Sequence, residues 1–196
     1  MPSQIQSIRK AFAASIAAKR IFLGEHAGTL AAVANLVADR FAEGGKLLLF
    51  GNGGSAADAQ HIAAEFVNRF AIERPPLPAI ALTTDTSALT SIANDYGYAD
   101  VFVKQVLALG RAGDVAFAIS TSGNSPSVVR AVIACKRLGI NTVGFTGGDG
   151  GKLCARVDRL LNVSASRDTA RIQETHILAG HVICQLVDER LYGDQS

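Results

Sequence analysis

His61 and Glu65 stand four residues apart in a stretch of helical composition, so an imidazole and a carboxylate share one helical face. Such a pair suits two chemistries. A carboxylate can carry a proton to and from carbon while an imidazole exchanges protons near neutral pH. The same two groups are also donors for a divalent transition metal such as zinc. A surface ion pair is the plain alternative. Against it stand Ala56, Ala57, Ala59, Ala63, Ala64 and Phe66, which suggest a helix packed on most sides, where polar groups need partners. Candidates for such partners lie near the C-terminus, where Gln173, Glu174, His176 and His181 are set among Ile172, Ile177, Leu178, Val182 and Ile183. The pattern is not HExxH. Gln173 and His181 would also be about 12 Å apart along a straight helix, so both could meet one ion only by leaning toward it from opposite sides.

Two glycine- and serine-rich segments offer an anion site. Gly51-Asn52-Gly53-Gly54-Ser55 follows an apolar run and leads straight into the helix of His61; its glycines allow a close backbone approach, and Ser55 is the expected cap. Amides at a helix start favour an anion. The spacing matches neither the dinucleotide fingerprint nor a Walker loop. Ser120-Thr121-Ser122-Gly123-Asn124-Ser125-Pro126 repeats the theme, with Pro126 suited to the first helical position and Ser125 or Asn124 to the cap. Hydroxyls and amides can wrap a phosphate ester without a positive charge. Either segment alone could be no more than a turn or a serine-rich cap.

The elements that must position these groups alternate. Short apolar runs at 46–50, 78–82, 115–119, 140–145 and 157–163 are separated by helical segments, which predicts a three-layer α/β/α sandwich around a five-stranded parallel sheet. In the flavodoxin-like order 2-1-3-4-5, the first and third strands are neighbours and both loops line one crevice. The first 43 residues read as two helices, and the last helix should begin near Ala170 and run past Leu186. No linker divides the chain, so residues 1–196 are expected to form one domain. Its N-terminal segment, 1–43, exposes many small or apolar positions (Ala13, Ala14, Ala17, Ala18, Ala31, Ala32, Ala34) and is expected to pack in a homo-oligomer.

Composition narrows the partners. With 19 Lys and Arg against 17 Asp and Glu, a net charge of +2 and no basic run, nucleic-acid binding is not indicated. Cys135, Cys154 and Cys184 form neither a CxxC pair nor a disulfide framework; they read as buried apolar residues in a reducing compartment. The apolar start is brief and closed by Lys19-Arg20, with Ile5, Ile8, Phe12, Ile16 and Phe22-Leu23 at helical spacing, which favours an amphipathic helix over an export signal. No stretch reaches the ~20 apolar residues that span a bilayer. A soluble cytoplasmic protein with no membrane partner is expected.

Taken in order, Gly51-Asn52-Gly53-Gly54-Ser55, Asp58-Ala59-Gln60-His61 with Glu65, Asn94-Asp95-Tyr96-Gly97, Ser120 to Ser125, and Arg171-Ile172-Gln173-Glu174 with His181 resemble the phosphoheptose isomerases of the sugar isomerase (SIS) domain superfamily. The match runs from about residue 30 to the C-terminus. The resemblance implies a homotetramer with active sites between subunits and an enediol conversion of sedoheptulose 7-phosphate to D-glycero-D-manno-heptose 7-phosphate. That reaction is the first step of heptose synthesis for lipopolysaccharide core or other surface glycans. The resemblance further implies one zinc ion per subunit on His61, Glu65, Gln173 and His181, with Glu65 and His181 catalytic. Substrate contacts would fall on Asn52, Gly53, Gly54, Ser55, Glu65, Asn94, Asp95, Ser120, Thr121, Ser122, Ser125 and Gln173; Arg69 and Asp168 are further candidates. Two rivals come from the same superfamily: a non-catalytic adaptor that binds the replication initiator protein, and an isomerase of another sugar phosphate. A transcriptional sugar-phosphate sensor would need a DNA-binding domain for which this chain has no room. Glu65 and His181 argue for the enzyme.

Overall fold

Leu47-Leu48-Leu49-Phe50 is apolar at every position, as a strand covered on both faces must be, and it forms an inner strand of the sheet. In a computed structural model that describes residues 3–193, the elements run α1 (Gln4–Ala42), β1 (Leu47–Gly51), α2 (Gly54–Val67), β2 (Ala79–Ala81), α3 (Thr86–Asp95), α4 (Val101–Leu109), β3 (Val115–Ile119), α5 (Pro126–Arg137), β4 (Asn141–Gly147), β5 (Arg159–Val163) and α6 (Thr169–Tyr192). Residues 1, 2 and 194–196, the ends of the expected domain, lie outside the described residues. The five strands are parallel in the order β2-β1-β3-β4-β5, as the alternation and the doubly wound pattern predict. Leu47 pairs with Val115 and Gly51 with Ile119, so the ends of β1 and β3 stand side by side. That pairing sets the crevice for both loops.

Alternate side chains of each strand feed two cores. Leu47 and Leu49 point into a core closed by α1, α2 and α6, with Phe41, Phe66, Phe117, Phe145 and Ile183. Leu48 and Phe50 point into a core under α4 and α5, where Phe50 stacks on Phe102 at 5.6 Å between ring centroids. The helix that carries Glu65 and the one that carries His181 therefore share a face of the sheet. They run the same way along it: Gly54 at the start of α2 meets Gln173, and Ile62 packs against Gly180 further on.

Three expectations are corrected here. The N-terminal segment is a single helix of 39 residues rather than two. Gly24 and Gly28 do not break it, because no Pro accompanies them, Ser3 and Gln6 form a capping box at its start, and its second half packs along α6 and β5. That helix also contains a window long and apolar enough to cross a bilayer by length and composition, contrary to the sequence reading; a third of the window is buried within the domain. Its mid-helix polar groups are bonded within the domain, Glu25 to Ser164 at 2.7 Å and His26 to the Asn162 carbonyl at 2.9 Å. Finally, Cys135 and Cys184 are buried but Cys154 is exposed, because it lies in the turn after β4 rather than in a helix or strand. Burial pushes the Cys135 thiol up to about 12, so it is inert at neutral pH.

Candidate active site

The first loop opens at the end of β1. Gly53, with φ of 56°, precedes the first residue of α2 and no side chain caps that helix. Ser55 is therefore not the expected cap: it lies buried inside the first turn, its amide bonded to the Asn52 carbonyl at 3.0 Å. Asn52 instead joins the two loops. Its Nδ2 donates to Ser125 Oγ at 2.7 Å and to Ser127 Oγ at 3.0 Å, and Tyr98 donates its hydroxyl to Asn52 Oδ1 at 2.9 Å. Ser125 is the residue before α5, and Pro126 opens that helix as its fixed φ allows. Ser120 is buried, Thr121 half-buried, and Ser122 is exposed with its Oγ accepting from the Asn124 amide at 3.2 Å. The starts of α2 and α5, with their free first-turn amides, are thus tied together at the neighbouring ends of β1 and β3.

Gly123 fixes the second loop against the next one. Its φ is +64°, and a Cβ there would stand 2.0 Å from the Gly150 carbonyl oxygen. Leu153 donates its amide to the Gly123 carbonyl at 3.1 Å, and Lys152 to Asn124 Oδ1 at 3.1 Å. Only glycine permits that approach.

Two turns along α2, the ionisable cluster is assembled within one chain. His61 Nε2 lies 2.8 Å from His181 Nε2 and 3.3 Å from Glu65 Oε1, and one donor atom from each residue lies within 4.8 Å of the others. Among the described residues it is the one such grouping of His, Cys, Asp and Glu. Phe70 stacks on the His181 ring at 5.6 Å and fixes its plane. Tetrahedral zinc ligands at ~2.0–2.1 Å from the ion stand roughly 3.3 Å from one another, so two imidazoles and a carboxylate at these spacings fit zinc by number, chemistry and distance. Gln173 stands near the start of α6, level with the start of α2. Its amide lies against Gly54, where an added Cβ would be 2.3 Å from Nε2. His181 stands eight residues further along α6 than Gln173, a rise of about 12 Å.

The other expected residues are exposed in the single chain. Asn94 and Asp95 end α3, exposed, with Asn94 Nδ2 bonded to Asp95 Oδ1 at 2.8 Å. Arg69 is exposed and pairs with Glu73 at 3.6 Å. Asp168 caps α6, accepting from the Ala170 amide at 2.9 Å. The helix bearing His61 and Glu65 is buried on one side only, through Ala59, Ile62, Ala63 and Phe66; Ala57 and Ala64 are exposed in the single chain.

Sequence reasoning missed Arg74. Its buried guanidinium donates to the Glu65 and Phe66 carbonyls, each at 2.8 Å, and its Nε to Asp188 at 2.7 Å. A cation there satisfies the orphan carbonyls at the end of α2 and ties that helix to α6. No spacing signal marks it; the partner carboxylate is 114 residues away. Asp58, one turn before His61, has a half-buried carboxylate that burial holds above its ordinary range, opposed by the charge of His61.

Two loop-to-helix turns joined through Asn52 at the switch point of a parallel sheet, with an imidazole pair and a carboxylate two turns along the adjoining helix, define an α/β domain of the kind that binds small ligands at the carboxyl ends of its strands. The SIS domain family profile matches residues 11–147. The chain belongs to that family and, within it, to the phosphoheptose isomerases. It is 58% identical over 91% of its length to the phosphoheptose isomerase of a Roseiflexus species, covering 90% of that protein. With that of Thermodesulfovibrio yellowstonii it shares 52% identity over 94% of its own length and 92% of the relative's. The solved phosphoheptose isomerase of Neisseria gonorrhoeae superposes with a TM-score of 0.90 at 47% identity, over 95% of this chain and all of that one.

Proposed function

We propose that this chain is an aldose–ketose isomerase that converts sedoheptulose 7-phosphate to D-glycero-D-manno-heptose 7-phosphate. One observation carries the reading: Glu65, His61 and His181 meet two turns of α2 beyond the loops suited to a phosphate. Seven residues of helix separate Gly54 from His61, roughly 10 Å. A seven-carbon chain with a terminal phosphate ester is roughly as long, so its carbonyl end would reach the cluster while its phosphate occupies the crevice.

Moving the carbonyl from C2 to C1 takes a proton from C1, passes through an enediol, and returns a proton to C2. Glu65 carries the carbon proton. It presents one oxygen toward His61, leaving the other for C1 and C2 in turn. His181 moves the proton between the two substrate oxygens, its ring held by Phe70. Such positioned groups typically contribute ~10²–10⁴ each in rate. Zinc, one per subunit, would be held by His61, Glu65 and His181, with Gln173 as the fourth donor that the resemblance implies, and when bound it would polarise the carbonyl as a Lewis acid.

A homotetramer with sites between subunits is part of this reading. Its support is the exposed apolar row of α1, Ile5, Ile8, Phe12, Ile16 and Leu23, with Phe12 68% exposed in the single chain. We place the reaction in the cytoplasm, where three unpaired cysteines are at home, and assign the product to surface-glycan heptose.

The test is direct. Purified protein is incubated with sedoheptulose 7-phosphate, with and without a chelator, and aldose formation is followed by NMR. Turnover that the chelator abolishes and zinc restores supports the whole reading. No product in either condition refutes the reaction, and chelator-insensitive turnover refutes the role of zinc.

A further inference from the structure

Tyr98 lies outside every residue that the loop motifs single out. It is 57% exposed, in a single 3-10 turn between α3 and α4, yet its hydroxyl reaches Asn52 across 46 residues of sequence. The geometry points to Tyr98 as a positioning residue for the anion pocket, acting through Asn52 to aim the hydroxyl hydrogen of Ser125 at the substrate phosphate. This deepens the isomerase reading and rests on it for the identity of the phosphate.

The argument follows the hydrogens. A phenol is a better donor than acceptor, so Tyr98 favours the amide orientation in which Asn52 presents Oδ1 to it. Both hydrogens of Asn52 Nδ2 then go to the serines, one to Ser125 Oγ at 2.7 Å and one to Ser127 Oγ at 3.0 Å. Ser127 is buried, with its Oγ 3.3 Å from Ser125 Oγ, so its own hydrogen has the Ser125 oxygen as its outlet. Ser125 thereby accepts twice, from Asn52 and from Ser127. Among the described residues its remaining hydrogen has no further acceptor, and it is left for an incoming one.

Reversal of the Asn52 amide would invert the relay. Both serines would donate to Oδ1, and the lone pairs of Ser125 would face the phosphate oxygens. Donor polarity toward the crevice is therefore a property of the four-residue chain Tyr98, Asn52, Ser127 and Ser125, and Tyr98 sets its sense. A hydrogen bond to a charged acceptor is stronger than one between neutral groups, which makes that sense matter for an anion.

Tyr98→Phe keeps the ring, and its exposure makes misfolding no concern. KM for sedoheptulose 7-phosphate should rise about 3- to 10-fold with kcat within about twofold, the size expected for one misdirected hydrogen bond. Ki for inorganic phosphate as a competitive inhibitor should rise by the same factor. In an Asn52→Ala background, Tyr98→Phe should add nothing, because the relay is already cut. Unchanged KM and Ki in the single variant would overturn the proposal. So would a further loss in the Asn52→Ala background, since Tyr98 would then act on the ligand directly. Calorimetric binding of inorganic phosphate to wild type and Tyr98→Phe reads the pocket even where sedoheptulose 7-phosphate is not turned over. Failure of the isomerase reading and failure of the positioning role are thus separate results.

Discussion

Acid should loosen α6 from the sheet through His176. The ring of His176 is buried against Phe145, its Nε2 bonded to the Thr146 carbonyl at 2.9 Å, and its Nδ1 is buried without a partner among the described residues. Burial pushes its pKa down to about 4 from the ordinary 6.5, opposed in part by the Thr146 carbonyl. Protonation would place a hydrogen on Nδ1 where nothing accepts it. Because the folded value is depressed, the unfolded chain takes up the proton first, and stability falls as pH drops from above 6.5 toward 4. At pH 5 the unfolded state gains a binding factor of about 33 against about 1.1 for the folded state, which is ~2 kcal/mol; at pH 7 the difference is ~0.2 kcal/mol. His176→Gln keeps an amide donor for Thr146 and removes the titration. Urea unfolding at one protein concentration, at pH 7, 6 and 5, should show wild type losing roughly 2 kcal/mol more than the variant between the extremes. Equal losses in the two proteins would refute the reasoning. Since α6 also carries Gln173 and His181, activity should fall over the same interval.

Three more outcomes follow from the geometry. Glu65→Gln should leave the circular-dichroism melt and phosphate binding intact while turnover drops by at least ~10²-fold, and near-normal turnover would remove Glu65 from its role. Gly123→Ala must push a Cβ into the Gly150 backbone at a left-handed φ, so the two loops part and KM should rise about tenfold or more with kcat less affected. Asp188→Ala strands the buried Arg74 charge and should lower stability by about 3–5 kcal/mol in thermal or urea unfolding, with loss of activity because Arg74 holds the end of α2 at Glu65.

The strands were legible because a parallel strand covered on both faces must be apolar throughout, and 46–50, 115–119 and 140–145 are close to that. The loops were legible because each residue type at the ends of the apolar runs has its own turn chemistry: glycine allows the positive φ that other residues avoid, proline fixes φ for a first helical position, and serine favours a helix start. His61 and Glu65 could be paired from their four-residue spacing, since a helix carries its own ruler. Two helices are expected before residue 44 but one forms, because packing along α6 holds the chain helical through Gly24 and Gly28.

What spacing could not supply was convergence. That His181 meets His61 depends on α2 and α6 lying side by side in the same direction, 120 residues apart in sequence. The same packing sets Gln173 against Gly54, and it buries Arg74 between the two helices. Tyr98 reaches Asn52 by the same kind of accident of topology, from a turn with no motif of its own. Residue types and local periodicity determined which chemistry this chain owns and on which elements it sits. Only the tertiary structure decided which of those groups touch, because contacts between distant segments are set by core packing and crossover geometry that no local pattern encodes.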